Sequence, residues 1–554
     1  MLLPNRDIGP WARDLIDECF VSRETRSEMY KEYLSYYWTG TREGTRALYN
    51  KVFAHIDRLA SLLYSPVDAR FQIEFDMEMD AAFLEMASGS SRFLNREFHR
   101  CGIDLEFAQA VNFGLVKGAC LLKQVWSEEG IQPWVIHPES FGVMNEAITD
   151  LNYQEAFVHR TYLTKNQFAR LIVNNPDQEQ IIREIEASKA GEKRPEELGD
   201  DFFHQIIVGG INPVNTQSTA STGFGSVGIS GIPIPMLNAK IAGELIAMDE
   251  LWVVDNDIED YTTIRMVKDI VVEGKYRKQN LSRVKGEHPF TKVAPNEVDG
   301  YFWGYSEVEQ IKQLQELLND QVNTINRLTK LKSDPPRAFI GFSGITQEKY
   351  RALRRPGGFL AEDTPNAKIE TLAPDIPKEL FERIESTIRY FDDVAGFTPI
   401  MLGQGETGVR SQAQASTLAR NSSPRMRDRA LLTERQLAEA GDFSFKLLAA
   451  MEAKAFHSGA DKKKVEFMLS QLPDDYRVTV DSHTASPVFS EDAERKAFML
   501  AKAGAIGPEE LIMLTHPPRE DTLIQRLRER QAQQAAMLQQ HPELLLKGKP
   551  GPKR

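Results

Sequence analysis

Residues 305–336 read YSEVEQIKQLQELLNDQVNTINRLTKLKSDPP, and this stretch decides the fold class. Val308, Ile311, Leu314, Leu318, Val322, Ile325, Leu328 and Leu331 recur at spacings of three and four. That spacing puts them on one stripe of an α-helix. Ser306 stands at the N-cap position, and Glu309 three residues on completes a capping-box pattern. Pro335 and Pro336 stop the helix. About 26 residues make a rod of roughly 40 Å. Its polar face is amide-rich and nearly balanced in charge, with Glu307, Glu309, Glu316 and Asp320 against Lys312, Arg327, Lys330 and Lys332.

Working outward, a second amphipathic helix is expected over 377–396, PKELFERIESTIRYFDDVAG. Leu380, Ile384, Ile388 and Phe391 form its stripe, with Pro377 at its first position and Gly396 at its end. Between the two helices lie about forty residues of short strands and turns, with Pro356-Gly357-Gly358 as a corner. A third long helix is expected from Ser423-Pro424 to about His457, and helix again past 487. Upstream, RALYNKVFAHIDRLASLLYS (46–65) carries Leu48, Val52, Ile56, Leu59 and Leu63 on one helix face. In FQIEFDMEMD (71–80), apolar and polar residues alternate strictly. This reads as a half-buried strand with an acidic outer face; a carboxylate metal site is the other reading. Helix is expected over 81–125, strand and turn over 119–143, and a strand-rich region over 238–300. Residues 209–237 are rich in Gly, Ser, Thr and Pro and read as a flexible insertion. The expected fold class is α+β, mainly helical.

The 554 residues allow two to four domains. No apolar run of 18 residues is present, which predicts no membrane helix, and the first residues carry no signal-peptide pattern. Cys19, Cys101 and Cys120 are spaced for neither a metal nor a disulfide framework and read as free thiols. The net charge is −13. A protein that grips DNA is usually basic, because phosphate neutralisation supplies its affinity. An acidic chain that handles nucleic acid does so weakly.

GQGETG (403–408) has the G-x-G-x-x-G spacing of dinucleotide sites, and so do Gly223, Gly225 and Gly228. A phosphate cradle needs a strand before it and a helix after it. Here a helix precedes, with Pro399 in the short connection. No P-loop pattern exists, and the ten histidines never pair at helical spacing. GFSGI (341–345) misses the nucleophile-elbow pattern by one residue, and DNDIED (255–260) lacks the glycine of a calcium loop. The expectation is a non-enzyme with no catalytic residues, no cofactor and no metal. RALRRPGG (351–358) is a small basic cluster, either a solvated turn or a contact with DNA or a protein partner.

The order of these elements resembles the portal proteins of tailed bacteriophages. The likeness rests on LYNKVFAHIDRLASLLYSP, on AVNFGLVKGACLLKQVW followed by VIHPESFGVM, on YFWGYSEVEQIKQLQELLNDQVNTINRL, and on SDPPRAFI and RRPGGFL. It covers most of 40–520, while 1–40 and 209–237 match nothing in the family. The resemblance implies a wing over 1–305, a first stem helix over 306–332, a clip over 333–376 and a second stem helix over 377–396. It then implies a tunnel loop over 397–419, a long wing helix and strand over 420–487, a crown over 488–546 and a basic disordered tail over 547–554. It implies stem packing through Val308, Ile311, Leu314, Leu318, Val322, Ile325, Leu380, Ile384 and Ile388. Gln404, Gly405, Glu406, Thr407, Gly408, Arg410 and Gln412 would face DNA in the tunnel loop. Arg337, Arg351, Arg354 and Arg355 would meet a partner at the clip. The family forms rings, twelve-fold in the virion, at one capsid vertex, as a channel for packaging and ejection. The implied partners are other copies of the chain, the terminase large subunit, a head-tail adaptor, the major capsid and scaffolding proteins, and double-stranded DNA in transit, without a membrane. The implied location is the virion, after assembly in the host cytoplasm. Two other readings remain at this point: a ring-forming or scaffold-like virion protein without a DNA channel, and an enzyme using one of the glycine loops.

Overall fold

The computed structural model describes residues 8–42, 47–66, 69–75, 81–173, 178–189, 246–273, 279–333, 335, 337–340, 346, 348, 351, 368–371, 375–397, 424–458, 464–473, 475–480, 497–508, 511–512, 523–524, 526–527 and 530. The 209–237 insertion, the Pro356-Gly357-Gly358 corner and the 547–554 tail lie outside them.

The helices are α1 (Ile8–Cys19), α2 (Arg23–Thr39), α3 (Lys51–Leu63), α4 (Ala81–Arg100), α5 (Ile103–Lys117), α6 (Lys165–Leu171), α7 (Gln178–Lys189), α8 (Glu307–Ser333), α9 (Glu379–Ala395) and α10 (Pro424–Ala450). The strands are β1 (Phe71–Phe75), β2 (Cys120–Ser127), β3 (Gly130–Ile136), β4 (Phe141–Val143), β5 (Ala156–Leu163), β6 (Ile246–Asp255), β7 (Asp260–Val267), β8 (Ile270–Glu273), β9 (Phe290–Val293), β10 (Arg337–Ile340), β11 (Lys368–Thr371), β12 (Lys454–Ser458), β13 (Lys464–Met468) and β14 (Tyr476–Val480). The class is α+β, with helix in excess of strand.

The chain divides into two units, the first of residues 1–60 and 109–426, the second of 61–108 and 427–554. In the first, β4-β5-β6-β7-β8 form an antiparallel sheet and β3-β2-β9 a smaller one. Side chains alternate along the strands. Phe157 and Trp252 therefore point into an aromatic core with Phe141, Tyr261 and Phe290. Their neighbours Val158, Leu251 and Val253 point the other way, against Ala12, Leu15, Ile16 and Cys19 of α1. Helices α6 and α7 cover the sheet through Phe168, Ile181 and Ile185.

A buried ionic row crosses the aromatic face. His159, Glu250 and Arg265 are register partners on β5, β6 and β7, and Arg265 pairs in turn with Glu273 on β8. Lys123 of β2 reaches into the row, its Nζ 2.6 Å from Glu250 Oε1 and 3.3 Å from His159 Nδ1. Glu250 also accepts from Arg265 Nε at 3.1 Å and Trp252 Nε1 at 2.9 Å. Burial alone would raise the Glu250 carboxyl, but Lys123 and Arg265 hold it below the usual carboxylate range. A second triad repeats the chemistry: Lys117 Nζ lies 2.6 Å from Glu139 Oε1 and 3.3 Å from His137 Nδ1. Charges this deep are tolerated because each is paired and hydrogen-bonded.

In the second unit, β1 pairs antiparallel with β14, from Phe71 opposite Val480 to Phe75 opposite Tyr476. Phe71 and Ile73 are buried and Gln72 and Glu74 exposed, as alternation requires. Gly441 of α10 lies under the Phe71 ring, where a Cβ would come within 2.3 Å of it.

Three expected boundaries move. Leu48 precedes α3 and is 68% exposed, while Val52, Ile56, Leu59 and Leu63 are fully buried. Helix α9 begins at Glu379, two residues beyond Pro377, and ends at a left-handed Gly396 as expected. Helix α10 ends at Ala450 rather than near His457. Glu452 turns the chain at φ 52°, and 454–458 pair as a strand with β13, so His457 sits in a sheet. The residues of DNDIED join β6 to β7, and Asp255 accepts from the Asp257 amide and the Thr262 hydroxyl, a structural use of the carboxylate.

Candidate assembly site: the helix pair and its base

Helices α8 and α9 pack side by side in the first unit. They run antiparallel. Near the end of α8, Lys332 Nζ lies 3.5 Å from Asp375 Oδ1, just before α9. In the middle, Thr387 Oγ1 donates to Gln321 Oε1 at 3.1 Å. At the other end, His55 of α3 touches Glu307 at the start of α8 and the Phe391 ring near the end of α9.

The start of α8 is fixed by close backbone contact. Gly118 (φ +99°) and Gly304 (φ +64°) meet without side chains, and a Cβ on Gly304 would lie 2.7 Å from the Gly118 carbonyl. Ser306 Oγ accepts from the Val308 amide at 3.1 Å, confirming the expected cap, and donates to the Val116 carbonyl. Glu309 pairs with Lys312 at 2.7 Å.

The base holds polar groups in a dry setting. Glu307 is fully buried in the first turn of α8, where the helix dipole favours a carboxylate. His55 Nε2 lies 3.4 Å from its Oε1, and Asn296 Nδ2 donates to its Oε2 at 3.1 Å. Gln315 is also fully buried. Its Oε1 accepts from the amides of Lys51 and Val52 at 2.9 and 3.3 Å, and its Nε2 donates to the Tyr49 carbonyl at 2.9 Å. One glutamine of α8 thus caps the start of α3 across the fold. Helix α2 runs along α8 through Tyr36 to Glu316, Lys312 to Glu32, and Asn319 Nδ2 to the Gly40 carbonyl at 2.7 Å. Phe397, just past α9, is buried against His55 and lies under the Arg58 guanidinium.

Away from the base the pair loses cover. Val308, Ile311 and Leu318 are fully buried, but Leu314, Val322 and Ile325 are half-buried. Leu380, Ile384 and Ile388 of α9 are half-buried as well. Leu317 and Leu331 on α8, and Phe381 and Tyr390 on α9, stand exposed. At the far end, β10 and β11 form a two-stranded ribbon, with Ile340 and Ile369 exposed. Such a ribbon is marginal alone in water.

Of the residues expected at the clip, Arg337 is exposed on β10 and Arg351 is exposed; Arg354 and Arg355 lie outside the described residues. So do Gln404, Gly405, Glu406, Thr407, Gly408, Arg410 and Gln412. Sequence reasoning passed over His55, Gln315 and Phe397. Two of them carried a signal: His55 and Gln315 fall on otherwise apolar helix faces, where a polar residue needs a partner. Among the described residues no group of three or more His, Cys, Asp or Glu is placed to hold a metal ion, and no helix is long and apolar enough to cross a membrane.

No protein-family model matches the chain, and no curated protein matches it. Solved structures share its outline loosely. One is a chain of the neck of an empty gene transfer agent particle computed with C6 symmetry, 10% identical, with a TM-score of 0.38 over 84% of this chain and 90% of that one. Another is a chain of the virion of a native gene transfer agent particle, 11% identical, with a TM-score of 0.37 over 93% of this chain and 95% of that one. At these scores the likeness carries no weight for function.

Proposed function

We propose that the chain is a portal subunit of a tailed bacteriophage, a non-enzymatic virion protein whose copies close into a ring at one capsid vertex. The observation that carries this reading is the α8–α9 pair. It is buried at its base, yet it leaves half-covered apolar stripes and exposed Leu317, Leu331, Phe381 and Tyr390 along its length. Apolar surface of that kind marks a contact with another protein. Different helices present different apolar sets, which suits a head-to-tail contact, and such contacts close into rings.

In this reading α8 and α9 are the stem, the β10–β11 ribbon belongs to the clip, and residues 397–419 are the tunnel loop. The clip would dock the terminase large subunit during packaging and a head-tail adaptor afterwards. Major capsid and scaffolding proteins would surround the ring, and twelve copies would enclose passing double-stranded DNA. The net charge of −13 supports a channel that does not hold DNA tightly.

Negative-stain microscopy and mass measurement of the purified protein check the ring directly. The expected result is annular particles of about twelve copies. Strictly monomeric protein at high concentration would sink the reading. Deleting residues 404–412 separates the portal from a virion ring without a channel. Rings form normally, but particles package or retain far less DNA; unchanged DNA content would favour the ring without a channel.

A further inference from the structure

We propose that neighbouring copies are joined by an ionic seam between the last turns of α8 in one copy and the first turns of α9 in the next. This rests on the ring reading above. Arg327, Lys330 and Leu331 share the side of α8 turned away from Leu318 and Ile325, and all three are exposed. Phe381, Glu382 and Glu385 share the side of α9 turned away from Leu380 and Thr387, and all three are exposed. Glu379, also exposed, adds a third carboxylate beside them.

None of these charged groups makes an ion pair with another described residue of its own chain. Each cluster combines one large apolar side chain with a net charge, and the net signs are opposite: two cations on α8 against three carboxylates and one cation, Lys378, on α9. The chemistry of each cluster therefore fits the other.

Their levels also match. Gln321 and Thr387 are bonded across the pair and mark a common height. At 1.5 Å per residue, Arg327 and Lys330 stand about 9 and 13 Å beyond Gln321 toward the ribbon. Glu385, Glu382 and Glu379 stand about 3, 7 and 12 Å beyond Thr387 in the same direction. A rotation about an axis along the pair keeps heights unchanged. It brings Arg327 of one copy within about 2 Å of the level of Glu382 of the next, and Lys330 within about 2 Å of the level of Glu379. The partner is thus a second copy of this chain, docked heterologously, with α8 meeting α9 rather than itself.

The test is a charge swap on the full chain. One variant carries Arg327→Glu and Lys330→Glu, another carries Glu379→Lys and Glu382→Lys, and a third carries all four changes. Ring fraction is read by mass photometry at low and high salt, with circular dichroism as the check that each variant is folded. Each double variant raises the concentration needed for half-assembly by about tenfold at low salt, and the deficit shrinks in about 1 M salt, where exposed charges are screened. The quadruple variant recovers assembly, and an equimolar mixture of the two doubles forms rings that neither forms alone. The favourable interaction of Arg327 and Lys330 with the α8 dipole would not produce that rescue. Doubles that assemble like the native protein, or a folded quadruple as defective as the doubles, would overturn the seam while leaving the ring intact. Absence of rings from the native protein would instead remove the reading on which the seam rests.

Discussion

Gly304→Ala lowers the stability of the first unit by about 3–5 kcal/mol, a large fraction of what a domain has. The added Cβ would sit 2.7 Å from the Gly118 carbonyl and 2.9 Å from the Asn296 carbonyl. Both are backbone atoms and cannot swing aside as a side-chain tip can. The left-handed φ of +64° adds its own strain for any other residue. Relief requires the 303–306 turn to lift, which pulls Ser306 from its bonds to Val116 and Val308 and loosens the first turn of α8. Gly300 is the control. It has φ +71°, but a Cβ there would meet nothing within 4 Å, so Gly300→Ala costs only about 1 kcal/mol. Denaturant midpoints of the two variants settle the matter, and equal losses would refute the packing argument.

Acid destabilises the first unit well above the pH at which ordinary carboxylates titrate. Burial pushes His137 and His159 far below the usual histidine value, with Lys117 and Lys123 adding to the effect. Burial likewise pushes His288 down from 6.5 to about 4. The unfolded chain therefore takes up protons near pH 6.5 that the folded chain refuses, so stability is full above 6.5 and falls as pH drops. For His288 the loss between pH 6.5 and 4 is about 3 kcal/mol, and the other two histidines act in the same direction. Glu250, held ionised by Lys123 and Arg265, extends the loss below the ordinary carboxylate range. Urea midpoints should hold level between pH 7.5 and about 6.5 and fall steadily from there to pH 5. His288→Phe, among Phe157, Tyr261 and Phe290, should flatten the slope by about 1.4 kcal/mol per pH unit. A flat profile in the native protein would contradict this account.

The helix pair was legible because it is periodic. Eight apolar residues from Val308 to Leu331, a capping serine and two prolines placed α8 to within a few residues. Gly396 likewise marked the end of α9. The run from Pro424 toward His457 was misread because KAFHS contains no breaking residue, and the turn is made by Glu452 in a conformation that sequence does not announce. Leu48 was misread for a related reason: its spacing fits the α3 stripe, but Asn50 accepts from the Phe53 amide and the helix starts after it. The base of the pair was half-legible, since His55 and Gln315 interrupt apolar faces, yet their partners Glu307 and Tyr49 lie some 250 residues or more away in the chain. The ionic row was not legible at all, because His159, Glu250 and Arg265 become neighbours only through strand register.

The pairing of β1 with β14 has a consequence in time. Phe71 and its register partner Val480 are separated by more than four hundred positions. At about 5–20 residues per second of synthesis, β1 waits roughly 20–80 s for its partner strand to be made. The second unit therefore completes its folding late, after the α8–α9 pair has already left the ribosome. A truncated chain that stops short of residue 476 carries the α8–α9 pair of the first unit but lacks the β1–β14 pairing of the second, so the order of translation separates making the helix pair from closing the second unit.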